Sequence, residues 1–342
     1  MSSSACHGST LIPPPATGCD FGVHHRTALS ASQIVANNAF DGFLALDAAG
    51  AERVDASVPL DGVLMANEYY FIVPGSRITR YPIVPSFRGW QFPHGRIPDF
   101  WPQLDQTLPS ISPSSLLCAV TGYSWAVQRA HLVPSNERAW FACNGMNRYG
   151  VGAVVDIDDP ANRIPLKADV HMCLDAWTFV PTPKIPGALS TTGFQGAGAN
   201  PAPDSMPSPT GGTQQQQQQV EYAVHILAGA DPTFSRLHHD ARLPLWRLAS
   251  SSREFLYARF ALNVLMAVKA FVTAGQRQRV VRFMVVEYDR GSELVEDDLH
   301  GPALFALYGA GKSWSANPPK RRRGKGSGAS GSKGGVGGRP KL

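Results

Sequence analysis

Residues 185–219, IPGALSTTGFQGAGANPAPDSMPSPTGGTQQQQQQ, contain very little that a core can bury. The run is polar and rich in glycine and proline, too poor in apolar side chains to offset the entropy of ordering it, so it is expected to be disordered. On either side stand WTFVPTP and VEYAVHILAG, two apolar runs of strand length. Both bury well enough to pair with each other, which makes the polar run a long loop inserted at a hairpin rather than a boundary between domains. The fold must therefore bring the residues near 184 and 220 side by side. The short glutamine tract reads as a tolerated repeat expansion rather than an aggregation device.

The other boundaries follow from punctuation. The chain has 342 residues, with 28 Pro and 33 Gly, enough for two ordered regions and unpacked tails. Residues 1–28 read as disordered. From 30 to 104 the short runs GFLALD, GVLMA, YYFIVPG and RYPIVPSF, each bounded by Gly, Pro or Asp, indicate a small β-rich module. It ends in SFRGWQFPHGRIPDFWPQL, whose Trp90, Phe92, Phe100 and Trp101 are expected to cover an edge or seal a junction; His94 there reads as a hydrogen-bonded turn residue. After the linker TLPSISPSS, residues 116–184 and 220–290 form the second region. Asp231 and Pro232 mark a helix start, and 251–273 is apolar on nearly every face, as a buried helix is. QRVVRFMVVEYD fits a strand or a helix equally. The class is α+β.

The five cysteines are odd in number, scattered and free of any CxxC pair, which indicates neither a disulfide framework nor a cysteine zinc knuckle and fits a reducing compartment. The N-terminus lacks the basic start and apolar stretch of a secretion signal. The most apolar window, 255–272, is interrupted by Arg259 and Lys269, so no membrane partner is expected. The nine lysines and arginines from Lys312 onward exceed the net charge of +5, so residues 1–311 carry a formal −4. Residues 312–342 thus form a basic tail, expected to be disordered, whose Lys320, Arg321, Arg322 and Arg323 suit nuclear import or contact with phosphate backbones. A nuclear or cytoplasmic location fits.

Chemistry concentrates between 118 and 184. AVQRAHLVP reads as a strand presenting His131 at its end. DDPAN is a turn, RIPL a second short strand, and KAD opens the helix VHMCLDAW, with Asp169 as its cap. His171 and Asp175 are four apart and share one helical face. On its own, His131 between Ala130 and Leu132 reads as a core histidine; Asn162, His171 and Asp175 following in order favour a site. Cys118 and Cys173 read as packing residues. The pairs His24-His25 and His238-His239 lack companion ligands and read as loop or surface residues.

The order His131, Asn162, His171 resembles the His-Asn-His motif of HNH endonucleases. The wider pattern C-x-VTG…AHLVP…W…NGM…Y…DDPAN-x-I-x-L-x-AD-x-H-x-x-x-D is similar to the HNH nuclease-type domains of fungal proteins, with YAVHIL and EFLYARFALNVL extending the likeness over about 118–290. The resemblance implies a ββα-metal core in which His131 is the general base, Asn162 fixes the loop and orients His131, and His171 ligates a divalent metal with Asp175 as a second ligand. Imidazole suits the base because it titrates near neutrality. A histidine and a carboxylate with open positions suit Mg or Mn, with Zn remaining open. Asp175 could instead pair with Lys184. Many relatives carry an acidic residue or histidine immediately before the base, and here that residue is Ala130; Asp156, Asp158 or Asp159 could replace it after folding. The implied partner is nucleic acid, DNA more than RNA, with Arg129, Arg138, Arg148, Arg163 and the basic tail on phosphates. Three function classes follow: a metal-dependent endonuclease, a catalytically silent HNH-like nuclear scaffold that binds nucleic acid or a protein, and, as the weakest, a structural protein with a decayed motif from a mobile element.

Overall fold

Order begins earlier than the composition suggests. In the computed structural model, which describes residues 22–75, 81–104, 116–152, 156–185, 220–227, 230–274, 277–286 and 291–309, the chain enters as strand β1 (Val23–His24) and turns directly into helix α1 (His25–Val35). Residues 22–28 are therefore structured, against the expectation of disorder up to 28. The reason is long-range: no side chain caps α1, but the first free amides, His25 N and Arg26 N, donate to Gly62 O (2.9 Å) and Leu60 O (2.8 Å), and Arg26 pairs with Asp61. Asn37 and Asn38, both at positive φ, close the far end, a conformation asparagine tolerates. The expected disordered segments before 22, at 186–219 and from 310, like the linker at 107–115, lie outside the described residues.

The N-terminal strands are short. β2 (Phe43–Ala45), β3 (Val63–Leu64) and β4 (Tyr70–Ile72) pair as β1–β3 and β2–β4 over a small cluster of Leu44, Val54 and Leu64. The aromatic stretch that follows lies inside the core rather than over an edge. Trp90, Phe92 and Trp101 are fully buried in the main core, where Trp90 stacks on Trp140 (5.8 Å, 2°) and Trp101 meets Tyr257 edge-on (5.0 Å). Trp140 Nε1 donates to Trp90 O and Asn144 Oδ1 accepts from Phe92 N, so this stretch is hydrogen-bonded into the region after 116. The described residues belong to one unit, Met1–Gly309.

Three pieces surround that core. β5 (Val127–His131), α2 (Arg138–Cys143), β6 (Arg163–Lys167) and α3 (Ala168–Asp175) come first, with β5 and β6 antiparallel in the register His131↔Arg163 to Val127↔Lys167. Lys167, not Asp169, occupies the N-cap of α3; Asp169 lies inside the first turn and pairs with Lys167. Next, β7 (Phe179–Lys184) and β8 (Glu221–Ile226) pair antiparallel with Lys184 opposite Glu221, so the loop 186–219 does sit at a hairpin. β7 tolerates Pro181 and Pro183 because it is the edge of the sheet β7-β8-β9. α4 (Pro232–His238), capped by Asp231, leads to β9 (Arg242–Leu243). The apolar stretch then resolves into α5 (Arg253–Ala267) and α6 (Lys269–Val272), with Phe255 to Leu265 buried on every face. Each such Leu, Phe or Val contributes roughly 1.5–3 kcal/mol by leaving water, which makes α5 the axis of the domain. QRVVRFMVV, the described part of that run, is a strand: β10 (Gln278–Val286) pairs with β11 (Gly291–Leu299), and α7 (Gly301–Leu304) runs into a π-helical turn, Phe305–Gly309, at the end of the described chain. The β10–β11 hairpin was not legible as a unit, because Glu293, Glu296, Asp297 and Asp298 break β11's apolar pattern until Arg279 and Arg282 of β10 pair across with Glu296 and Asp297. The architecture is α+β, with small sheets. No helix among the described residues is long and apolar enough to cross a membrane.

Candidate functional site

β5 alternates, and the alternation sorts the candidates. Ala130 and its partner Ile164 are fully buried, as is Leu166 opposite Gln128; His131, Arg129 and Val127, with partners Arg163, Pro165 and Lys167, take the other face. Ala130, the residue before the candidate base, thus contributes only a methyl group to packing.

At the end of β5, His131 Nε2 lies 3.0 Å from Asp158 Oδ1. Asp158 also accepts from Arg163 Nη2 (2.7 Å) and Arg138 Nη2 (3.2 Å). The hydrogen bond from His131, then that from Arg163, holds the Asp158 carboxyl below its usual range. An ionised carboxylate only accepts, so the shared proton belongs to Nε2, and Nδ1 of the neutral ring carries the lone pair. Nδ1 makes no hydrogen bond among the described residues, and the side chain is 25% exposed, within reach of water.

Asn162 is fully buried beneath this cluster. Its Oδ1 accepts from Val133 N (2.8 Å), and its Nδ2 donates to Val133 O (2.9 Å) and Ile157 O (2.8 Å). Its own carbonyl accepts from Leu132 N (2.8 Å). One side chain therefore ties the exit of β5 to the aspartate loop, and makes no hydrogen bond to the His131 ring among the described residues. Asp159 caps the turn Pro160–Asn162 and accepts from Val151 N and Gly152 N, so it is committed to the loop; Asp156 accepts from Asp158 N.

His171 stands apart from His131. Its Nδ1 is 2.7 Å from Gln128 Oε1, and its Nε2 is 3.4 Å from Asp175 Oδ2. An amide oxygen accepts, so Nδ1 carries the proton and Nε2 turns its lone pair toward Asp175. Gln128 lies three residues before His131 in β5, about 10 Å along the strand. His131, Asn162, His171 and Asp175 thus occur as two groups on one hairpin rather than one cluster. Lys184 does not pair with Asp175; it pairs with Asp240.

Two features escaped sequence reasoning. Arg259, which interrupts the apolar run of α5, is fully buried, donates to Leu132 O (3.3 Å) and to Leu174 O, and lies 4.7 Å over the Trp177 ring. Burial draws its pKa down to about 9, which leaves it charged at neutral pH. It locks the end of β5 to the end of α3, and a lone cation within the buried run 255–265 was the available signal. The histidine pairs were misjudged in part: His24 and His25 are buried, whereas His239 is exposed as expected but has companions after all, in His225 and Asp240, the one trio of His, Cys, Asp or Glu among the described residues whose ligand atoms lie within 4.8 Å of one another. His225 is far from His239 in sequence, so no spacing announced it.

No curated protein and no solved structure matches the chain. Residues 118–180, the span holding β5, β6, α3 and the clusters around His131 and His171, match a family model described as HNH endonuclease.

Proposed function

We propose that residues 118–180 are an HNH-type nuclease domain, with β5, β6 and α3 as its ββα core, that hydrolyses phosphodiester bonds in DNA. The observation that carries this reading is His131 with its Nε2 proton held by Asp158 and two guanidinium groups, Arg163 and Arg138, on the same carboxylate. Nδ1 then takes a proton from water as the water oxygen attacks phosphorus; the P–O bond to the departing sugar oxygen breaks, and that oxygen takes up a proton from solvent. The arginines hold the anionic phosphate and the charge that grows on it, in competition with Asp158. Asn162 positions the loop and touches no reacting atom.

His171 and Asp175 fit a divalent metal as two ligands. The Gln128 carbonyl fixes the histidine tautomer, as outer partners of metal ligands do, and the 3.4 Å between Nε2 and Asp175 Oδ2 suits two donors on one ion. Such an ion, Mg or Mn by its donors, would lie about 10 Å along β5 from His131, so when bound it would supply charge for a phosphate next to the one His131 faces. The face of β5–β6 that carries His131 also carries Arg129 and Lys167, and the exposed Trp125 (79%) and Tyr123 (69%) lie just beyond its end, cations and rings of the kind that contact phosphates and bases. The basic run Lys320–Arg323 would add salt-dependent affinity and nuclear import.

The test is nicking of supercoiled plasmid in Mg or Mn. Wild type should nick; H131A and H171A should not. A wild-type protein that never nicks, or an H131A that nicks equally, overturns the reading. Ala130 favours a second one, a silent HNH-like scaffold, because the residue that would add a third ligand is a buried methyl group. Absence of metal binding at His171, together with salt-sensitive DNA binding, would establish it.

A further inference from the structure

Away from 118–180, the turn after α4 gathers ligand-bearing side chains on the sheet β7-β8-β9. His225 comes from β8, and His239 and Asp240 come from the α4–β9 turn. One ligand atom from each lies within 4.8 Å of the other two. His225 is 5% exposed and its Nδ1 has no hydrogen-bond partner among the described residues, which is costly for a buried polar atom unless something else satisfies it. The trio lines a cavity of about 190 Å³, whose opposite wall is Gly22 to His24, at the start of the ordered chain.

The remaining contacts are compatible with an ion. Asp240 uses Oδ1 for Lys184 and leaves Oδ2 3.7 Å from His239 Nε2, a spacing close to that of two donors each about 2 Å from one cation. Lys184 is then the outer partner that orients a ligating carboxylate. Asp240 is held at φ +62, with its N donating to Val224 O (2.9 Å), so the turn is pinned beside β8 before any ion arrives. Ligation through His239 Nε2 moves that ring's proton to Nδ1 and gives up one long hydrogen bond, from Ile226 N at 3.3 Å.

We propose that His225, His239 and Asp240 form a second metal site, separate from His131 and His171, for a zinc-class divalent cation with one coordination position open to the cavity. Two imidazoles and one carboxylate favour zinc, cobalt or nickel over magnesium or calcium. The site fastens the α4–β9 turn to β8, and the cavity, several water volumes in size, admits water or a small anionic group to the open position.

The experiment uses the full-length protein, stripped with chelator and titrated with Co²⁺ for visible absorption, then with Zn²⁺ against a chromophoric indicator. Wild type should take up one equivalent with tetrahedral cobalt bands that zinc displaces. H239A and D240N should each lose at least tenfold in zinc affinity, while H171A retains the cobalt bands. His239 is 42% exposed and asparagine accepts a left-handed φ, so both variants keep the turn; circular dichroism checks this, and a zinc-induced rise in Tm seen in wild type should vanish in H239A. No tetrahedral cobalt bands in wild type, unchanged affinity in folded H239A and D240N, or loss of the bands in H171A would each overturn the proposal.

Discussion

Replacing Asn162 with alanine isolates the physical role of the motif's central residue. The side chain is fully buried and makes three hydrogen bonds, one from Val133 N and two to Val133 O and Ile157 O. Asn162→Ala strands one backbone donor and two carbonyls without access to water. An unsatisfied buried polar group costs roughly 1–3 kcal/mol, and relaxation around a small gap recovers part, so a loss of about 3–5 kcal/mol is expected. That is a large fraction of the roughly 5–15 kcal/mol that holds a domain together. Asn162→Asp is the sharper variant: it keeps the acceptor for Val133 N and the shape, but sets an oxygen against two carbonyls, and should cost as much as alanine or more. Urea unfolding followed by tryptophan emission measures both, with m unchanged if the unfolded state is the same. A loss under about 1 kcal/mol for Asn162→Ala, or wild-type stability for Asn162→Asp, would show that the brace is not what holds the loop under His131.

Asp158→Asn keeps the shape but removes the charge that holds the His131 proton at Nε2; plasmid nicking should fall at least tenfold while DNA affinity stays or rises as Arg163 and Arg138 are released, and an unchanged rate would exclude the dyad. The carboxyl is depressed in the fold, so its contribution to stability is full above its unfolded pKa near 4 and disappears as pH falls through the lower folded value. Acid unfolding monitored below about pH 4 should show a shallower slope in Asp158→Asn. His24, lowered to about 4, chiefly by burial and then by Lys184, has the same proton balance at higher pH: the unfolded state gains a proton first, so stability drops as pH falls from about 6.5 toward 4, by up to about 1.4 kcal/mol per unit, and His24→Gln should flatten that stretch of the stability curve. Arg259→Leu leaves Leu132 O and Leu174 O without their donor and should cost roughly 2–4 kcal/mol in urea unfolding; a neutral result would mean that α3 and the end of β5 are located by packing alone.

Local order was readable wherever neighbours in the chain decide it. The strand ending at His131, the strand at 163–166, the helix carrying His171 and Asp175 at i and i+4, and the hairpin around 186–219 all follow from periodicity and punctuation. The start of α1 was missed because its first amides are satisfied by Gly62 and Leu60, residues no local rule connects to it. Asp169 looked like a cap because a carboxylate near a helix start commonly is one; the helix begins one residue before it, and Lys167 claims its charge.

Residue types and order alone thus determined β5, β6 and α3 around the motif and the choice of candidate groups. Tertiary structure decided which of them meet. Side chains alternate across β5, which sends His131 to Asp158 and the arginines while Gln128 reaches His171, and Asp158 becomes a partner of His131, the proposed base, instead of the ligand that Ala130 lacks. The fold also brought His225 beside His239 and Asp240 across a sheet. Proximity of that kind depends on strand pairing and on the burial of α5 at the centre, and a linear order carries no record of either.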